Sequence, residues 1–388
     1  MTEVEIGIGK FGRRGWRLDE VAIQPSRRTR DPQDVDITWQ LDAFRFALPF
    51  LAAPRDGIVG PDSALAIDSL GGLAVIDLEG LWTRYEDPQP LLDEIAEIAP
   101  ERVTPRLQEI YRAPVQPDLV RERLRAIAAQ GAVVCGAVTP RRAEELVPAA
   151  VEGGLDVLVV QAATISAEHV SRAKAALNLE RFIRTLDLPV IVGGCSSYQG
   201  ALHLMRTGAV GVLVGVGPGE SGGSARAVLG VAVPMATAIA DAAGARRRHL
   251  EETGFYVHVI AAGGLANGGD VATAIACGAD AVMLAGPLAA ATEAPGHGVF
   301  FAPAAGHATL PRGSAERVPV LGALGEILTG PSHDAGGRCN LFGALRAAMA
   351  MSGHATIREF HTAAVLVAGQ SPGQVPTPTE VGTPRWSG

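Results

Sequence analysis

The chain has 388 residues, 47% of them hydrophobic and 19% charged, with a formal net charge of −8. That composition can bury a large core, and an acidic balance without a dense basic stripe argues against nucleic-acid binding. No run reaches the ~18 consecutive apolar residues of a membrane span, and Lys10, Arg13, Arg14 and Arg17 break any leader-like stretch, so no membrane contact and a cytoplasmic protein are expected.

Aromatic residues make up only 5% of the chain, so the core must come mainly from Ala, Val, Leu and Ile, as in parallel sheets covered by helices. Cys135, Cys195, Cys277 and Cys339 are scattered without metal-ligand spacing, which predicts reduced thiols and no metal site. Lys10 and Lys174 are the only lysines; arginine supplies the rest of the positive charge and suits planar contacts to phosphate.

Residues 1–45 are polar and arginine-rich and read as a leading arm or cap, not barrel core. A first strand is predicted over Leu48–Ala53, a short helix over Ser63–Leu70 and a second strand over Leu73–Ile76. Residues 77–130 offer helices near Pro90–Ile98 and Asp118–Ala129 but no good strand, and read as a compact connection. From Gly131 a regular rhythm begins. Strands are predicted at AVVCGAV, Asp156–Gln161, Leu188–Val192, Val210–Gly215, Tyr256–Ala261 and Ala279–Leu284. Helices are predicted at Arg141–Glu152, near Ala167–Ala176, and at Tyr198–Thr207, Val233–Gly254 and Asp270–Cys277. Two early strands and six later ones make eight, the number of a (β/α)8 TIM barrel, an α/β fold whose chemistry sits on the loops after the strand C-termini. Residues 292–338 read as loop-rich. Helices follow at Leu341–Ser352 and near Ile357–Ala368, and a Pro/Thr/Gly-rich tail covers 369–388. Residues 1–368 are therefore read as one barrel with an N-terminal arm and an irregular C-terminal extension.

Three strand ends carry glycine: GVGPGESGGS after the sixth, AAGGLANGG after the seventh and AGP after the eighth. Glycine admits φ > 0 and lets backbone N–H groups approach an anion closely. Barrel enzymes often bind phosphate on the loops after strands seven and eight, and the amides of Gly263, Gly264 and Gly286 suit one phosphate. The alternative is that the glycines only end strands.

Several stretches together resemble the inosine-monophosphate dehydrogenase / guanosine-monophosphate reductase family, in its short branch without the regulatory insert. They are LDEVAIQPSRRTRDPQDVDITWQ, LPFLAAPRDGIVG, DLPVIVGGCSSYQGALHLMRTGAVGVLVGVGPG, ACGADAVMLAGPLAAATEAPG and NLFGALRAAMAMSGHATIREF. The resemblance covers roughly residues 5 to 368 and implies the barrel independently. It implies substrate phosphate at Ser221, Gly263, Gly264 and Gly286, a base near Arg55 and Asp56 and over the Gly217–Ser224 loop, and further substrate contacts at Gly219, Gly222 and Ala285. It implies a nicotinamide cofactor, NADPH or NADH/NAD, near Gln161, Ala162, Thr164, Gly193, Gly194, Gly215 and Gly217. A homotetramer is the implied assembly; related loops offer backbone carbonyls to potassium, and the altered loop here departs from them.

The chain departs from that pattern in ways that bear on mechanism. The family's cysteine nucleophile follows the GxGPG turn, and its thiolate forms a covalent intermediate with the purine. Here the turn continues GESGGSAR, with no cysteine between Cys195 and Cys277. Glu220, Ser221 and Ser224 are the side chains left there for catalysis; Glu220 reads either as a general acid or base or as a solvated carboxylate. Ala262 stands where relatives hold ribose hydroxyls with an acid, Gln161–Ala162 where they have a cofactor-contacting Asp, and Ala285–Gly286 where they have Gly-Ser. Arg55 replaces a common Met, and either recognises a polar substituent on the base or satisfies its own loop and Asp56. The segment HATLPRG, with His307 and Arg312, does not match the water-activating Arg-Tyr flap. Cys195 is a second thiol candidate or a buried core residue.

Direct hydride transfer needs neither thiolate nor flap. The resulting expectation is an NAD(P)H-dependent reductase acting on a purine-like or deazapurine nucleoside monophosphate. The alternatives are an inosine-monophosphate dehydrogenase with altered groups and a catalytically silent nucleotide-binding paralogue.

Overall fold

Short apolar runs with β-branched residues alternate with helical segments, and eight of the runs close into a single parallel barrel. The computed structural model describes residues 3–166, 176–215, 229–302 and 314–367. The barrel strands are β1 (Phe50–Ala52), β2 (Leu73–Asp77), β3 (Cys135–Val138), β4 (Val157–Gln161), β5 (Val190–Cys195), β6 (Gly211–Val214), β7 (His258–Ala262) and β8 (Ala281–Leu284). Each pairs with its sequence neighbours, and β8 closes on β1 through Val282–Phe50 and Leu284–Ala52. The (β/α)8 architecture is the one expected.

Strand alternation sorts the core into two layers. Leu51, Leu73, Val75, Cys135, Val157, Val159, Ile191 and Ile260 fill the barrel interior. Ala52, Ile76, Val160, Val192 and Val214 face outward against the helices. Those helices include Pro61–Ser69, Ala143–Glu152, Tyr198–Met205, Met235–Thr253 and Gly268–Ala276. Most of the helix expected near Ala167–Ala176 lies outside the described residues.

The N-terminal segment is more than a surface arm. An antiparallel hairpin, Trp39–Leu41 with Phe44–Phe46, closes the N-terminal mouth of the barrel. Trp39, Leu41 and Phe46 are buried among the interior side chains, and Trp39 Nε1 donates to His258 Nδ1 of β7 at 3.2 Å. Tryptophan can seal an apolar mouth in this way because its one polar atom finds a partner. The segment thus caps the barrel, one of the two roles expected of it, and corrects the expectation that it stays out of the barrel core.

Three further expectations are revised. The β2–β3 connection holds three helices, Gln89–Glu97, Pro100–Ile110 and Pro117–Ala128, not two. Val103, Leu107 and Ile110 of the middle one form an apolar stripe at helical spacing, packed with Leu92, Ile95 and Phe301 in a separate small core. The segment 292–338 is more ordered than its composition suggests. Val299–Ala302 pairs antiparallel with Ser314–Arg317, and Leu324–Thr329 is helical. Finally, the helix expected near Ile357–Ala368 stops at Phe360, and Val365–Val367 pairs with Val21–Ile23 of the arm. Three consecutive apolar residues fit an edge strand as readily as a helix, and the partner strand decides. Among the described residues no helix is long and apolar enough to cross a membrane.

Candidate active site

A cavity of about 900 Å³ opens at the C-terminal mouth of the barrel. Active sites of this fold lie at that mouth because the βα loops converge there from different strands. Its floor is the last inward-facing layer of the strands: Ala53 of the β1 end, Asp77 of β2, Ala137 of β3, Gln161 of β4, Leu213 of β6, Ala262 of β7 and Ala285 after β8.

Of the residues singled out from the sequence, Arg55, Gln161, Ala162, Gly194 and Gly215 line this cavity. Gly263, Gly264, Ala285 and Gly286 line it as well. Asp56, Thr164 and Gly193 are not among its lining residues. Gly217, Gly219, Glu220, Ser221, Gly222 and Ser224, like His307 and Arg312, lie outside the described residues. The described residues flanking the first group, Gly215 and Leu229, both border the cavity.

The glycines are required by backbone geometry. Gly263 and Gly264 follow β7 with φ of 118° and 68°. A Cβ on Gly215 (φ 153°) would lie 2.1 Å from the Ala262 carbonyl oxygen, and one on Gly194 would lie 2.1 Å from that of Gly215. The ends of β5, β6 and β7 therefore approach too closely for side chains. Gly286 differs: nothing stands within 4 Å of where its Cβ would be. Among the described residues, no backbone carbonyl accepts from the amides of Gly263, Gly264 or Gly286. Amides left open beside a cavity suit an anion.

Arg55 sits in a tight turn after β1, where Ile58 N and Val59 N donate to its carbonyl at 2.8 and 2.9 Å. Asp56 points elsewhere. It is 2% exposed, Leu81 N donates to its Oδ1 at 2.7 Å, and the Tyr111 hydroxyl donates to Oδ2. Its carboxylate ties the β2–β3 connection to the β1 turn. On the far wall, Ala162 and Gly194 exchange backbone bonds that join the β4 and β5 ends: Ala162 N donates to Gly193 O and Gly194 N to Ala162 O, each at 2.9 Å.

The four cysteines do not line the cavity. Cys135 is enclosed in the barrel interior, and burial pushes its thiol far above the ordinary range. Burial pushes Cys195 up to about 12 and Cys277 up to about 11. Cys195 also donates weakly to the Leu213 carbonyl at 3.5 Å, so it is a core residue. A thiol in such a setting is inert as a nucleophile near neutral pH.

Several lining residues escaped the sequence reading. Asp77 ends β2, its Oδ1 accepting from Glu79 N at 2.9 Å, and Glu79 Oε1 accepts from Thr139 N at 2.6 Å after β3. Alternation through Leu73, Val75 and Asp77 was the available signal, hidden by ending the strand at Ile76. Asp270, in the capping box of the helix after β7, accepts from Ala266 N at 2.9 Å; burial pushes its carboxyl above the usual carboxylate range. Arg17 reaches the cavity from the arm, which is held to the helix Met235–Thr253 by Trp16 N donating to Thr237 Oγ1 at 2.7 Å. Arg338 lines the cavity from the C-terminal segment and is paired with Asp334 at 2.7 Å. No local pattern marks these two; chain reversal brings them in.

A family model described as IMP dehydrogenase / GMP reductase domain matches residues 15–318. The chain is 46% identical over 373 residues to a protein of Mycolicibacterium smegmatis described as an uncharacterized oxidoreductase, covering 94% of this chain and 99% of that one. It is 32% identical over 288 residues to the inosine-5'-monophosphate dehydrogenase of Haemophilus influenzae, covering 67% of this chain and 54% of that enzyme. A crystal structure of an IMP dehydrogenase/GMP reductase-like protein from Corynebacterium glutamicum superposes with a TM-score of 0.88 at 43% identity, covering 94% of this chain and 97% of that one.

Proposed function

The chain belongs to the IMP dehydrogenase / GMP reductase family, and on that premise we propose that it is a nicotinamide-dependent reductase of a purine-like or deazapurine nucleoside 5'-monophosphate. Relatives along nearly its whole length are named oxidoreductases. The observation that carries the reading is a nucleotide-sized cavity that keeps glycine strand ends and has no thiol in its lining.

The open amides of Gly263, Gly264 and Gly286 would bind the phosphate, and Arg55 would orient the base from the β1 turn. The cofactor would lie against the opposite wall, where Gln161, Ala162 and Gly194 line the cavity. There a reduced nicotinamide would supply the hydride. With no thiolate available, the protein contributes proximity, orientation and a proton donor; Glu220 is the loop candidate for that donor. The assembly is proposed as a homotetramer and NADPH as the preferred donor, both from family resemblance.

The test is NADPH oxidation with a panel of purine and deazapurine nucleotides, recording product masses. Reduction of one member supports the proposal. Xanthosine monophosphate formed from inosine monophosphate and NAD would replace it with a dehydrogenase. Tight nucleotide binding without turnover under any cofactor would replace it with a silent paralogue.

A further inference from the structure

One row of the cavity wall carries polar side chains from three neighbouring strands. The register sets Ala137 of β3 beside Val159 of β4, and both belong to the barrel interior. Two residues further along, alternation returns Thr139 and Gln161 to the same inner side, and both line the cavity. They stand one strand spacing apart, about 4.8 Å. Glu79, in the turn after β2, joins the row because Thr139 N donates to its Oε1 at 2.6 Å; it lines the cavity too. On the other side of Gln161 the register places Gly193 of β5, which adds no side chain.

The row has hydrogen-bonding capacity that the protein leaves unused. Among the described residues, no group bonds the side-chain amide of Gln161 or the hydroxyl of Thr139, and Glu79 Oε2 has no partner. Other polar side chains of the lining are engaged. Asp270 accepts from Ala266 N, Arg338 pairs with Asp334 and Arg17 with Asp19, and Arg55 and Asp77 have interactions of their own. A few polar groups left open in a ligand cavity are what fixes a ligand's orientation.

The row's chemistry narrows the ligand group. An amide offers donors and an acceptor, a hydroxyl one donor, and a carboxylate acceptors only. With no positive charge among them, the three suit an uncharged group bearing N–H, O–H and C=O, not a phosphate. β3 and β4 also lie four strands from β7 and β8, across the barrel from the glycine amides. A nicotinamide riboside has both features required, a carboxamide and a vicinal diol. We infer that the Glu79–Thr139–Gln161 row anchors the nicotinamide riboside half of the cofactor. Gln161 pairs with the carboxamide, donor to acceptor in both directions, and Glu79 Oε2 accepts from the ribose hydroxyls, with Thr139 between them. An amide–amide pair fixes the ring's rotation and so decides where its hydride-bearing carbon points. This rests on the nicotinamide reading proposed above.

The experiment is equilibrium binding to the full chain. The probes are whichever of NADPH and NADH binds more tightly, its reduced 3-acetylpyridine analogue, in which a methyl replaces the amide nitrogen, and the matching ADP-ribose, which lacks the nicotinamide. Wild type is expected to bind the analogue about fivefold or more weakly than the parent, the worth of a lost hydrogen bond. Gln161→Ala should weaken the parent about tenfold, bring parent and analogue within about twofold of each other, and leave the ADP-ribose unchanged. Glu79→Gln, which keeps an acceptor for Thr139 N, should weaken parent and ADP-ribose alike by about threefold or more. Equal binding of parent and analogue by wild type overturns the inference without recourse to any variant. So does a parent-to-analogue ratio that survives Gln161→Ala, a Gln161→Ala loss shared equally by the ADP-ribose, or unchanged binding in Glu79→Gln. Each of these leaves the nicotinamide reading intact. If neither reduced cofactor binds, both readings fall.

Discussion

The Tyr111 hydroxyl donates to Oδ2 of Asp56 across 55 positions of sequence, joining the end of the connection's middle helix to the turn that carries Arg55. The carboxylate is 2% exposed and also accepts from Leu81 N. Removing it takes the carboxylate acceptor from Leu81 N and from the Tyr111 hydroxyl, and losing a buried acceptor costs about 1–3 kcal/mol per donor. Asp56→Ala is therefore expected to lower stability by about 2–4 kcal/mol in urea unfolding, and Tyr111→Phe by about 1–2 kcal/mol. Asp56→Asn, which keeps an acceptor for Leu81 N, should lose less than Asp56→Ala. Equal losses would mean that the acceptor does not hold the turn.

Under the barrel, Arg246 donates to Asp280 Oδ2 at 2.5 Å, and Tyr256 donates to Oδ1 at 2.5 Å. Both ionic partners are buried, at 8% and 6% exposure. Breaking such a pair leaves an uncompensated charge, at a cost of about 3–5 kcal/mol. Arg246→Met should show that loss in denaturant unfolding while KM for the nucleotide stays unchanged, because the pair lies at the mouth opposite the cavity. A shift in KM would show that the two mouths are coupled.

Acid stability follows from three histidines. Burial lowers the pKa of His249, His258 and His361 below the ordinary imidazole value. Arg206 and Glu252 bear on the first, and Asp280 and Arg246 on the other two, with Arg358 also acting on His361. The folded chain keeps these rings neutral, whereas the unfolded chain takes up protons below about 6.5. Their contribution is present above that pH and is lost as pH falls towards the lowered folded values. The melting temperature should drop more steeply between pH 6.5 and 5 in wild type than in a His258→Gln/His361→Gln double variant. Parallel curves would show that other groups set the acid limit.

Gly215 and Gly286 should respond oppositely to substitution. Gly215→Ala places Cβ against the Ala262 carbonyl in a left-handed backbone and should destabilise the fold. Gly286→Leu meets no atom within 4 Å at its Cβ, so the melting temperature should hold. The side chain would instead enter the cavity at the proposed phosphate position. Nucleotide affinity should fall about tenfold or more, roughly 1.4 kcal/mol or above. Unchanged affinity would move the phosphate off the β8 end.

The barrel was legible because its signal is local and repeated. Each βα unit from β3 onward carries its own apolar strand, and the ends of β5 through β8 carry glycine. The connection was read less well. Val103, Leu107 and Ile110 form a helical stripe, but Pro100 and Pro105 disguise it as loop, and its packing partner Phe301 lies almost 200 positions away. The nine cavity-lining residues found from sequence sit at strand ends, where glycine or a turn advertises them. Arg17 and Arg338 were missed because nothing in their neighbourhoods sets them apart.

The sequence by itself determined the alternating fold, the glycine strand ends, and the lack of any cysteine in the loop after β6. These depend on residue type and short-range spacing, which no packing can alter. Only the tertiary structure decided that Asp56 turns away to hold the connection, that Trp39 seals the opposite mouth, and that Asp77 faces the barrel axis. Adjacent residues on a strand or turn point to opposite sides, so a shift of one position separates a buried anchor from a cavity wall. That choice is made by the partners across the barrel, and those are set when β8 closes onto β1.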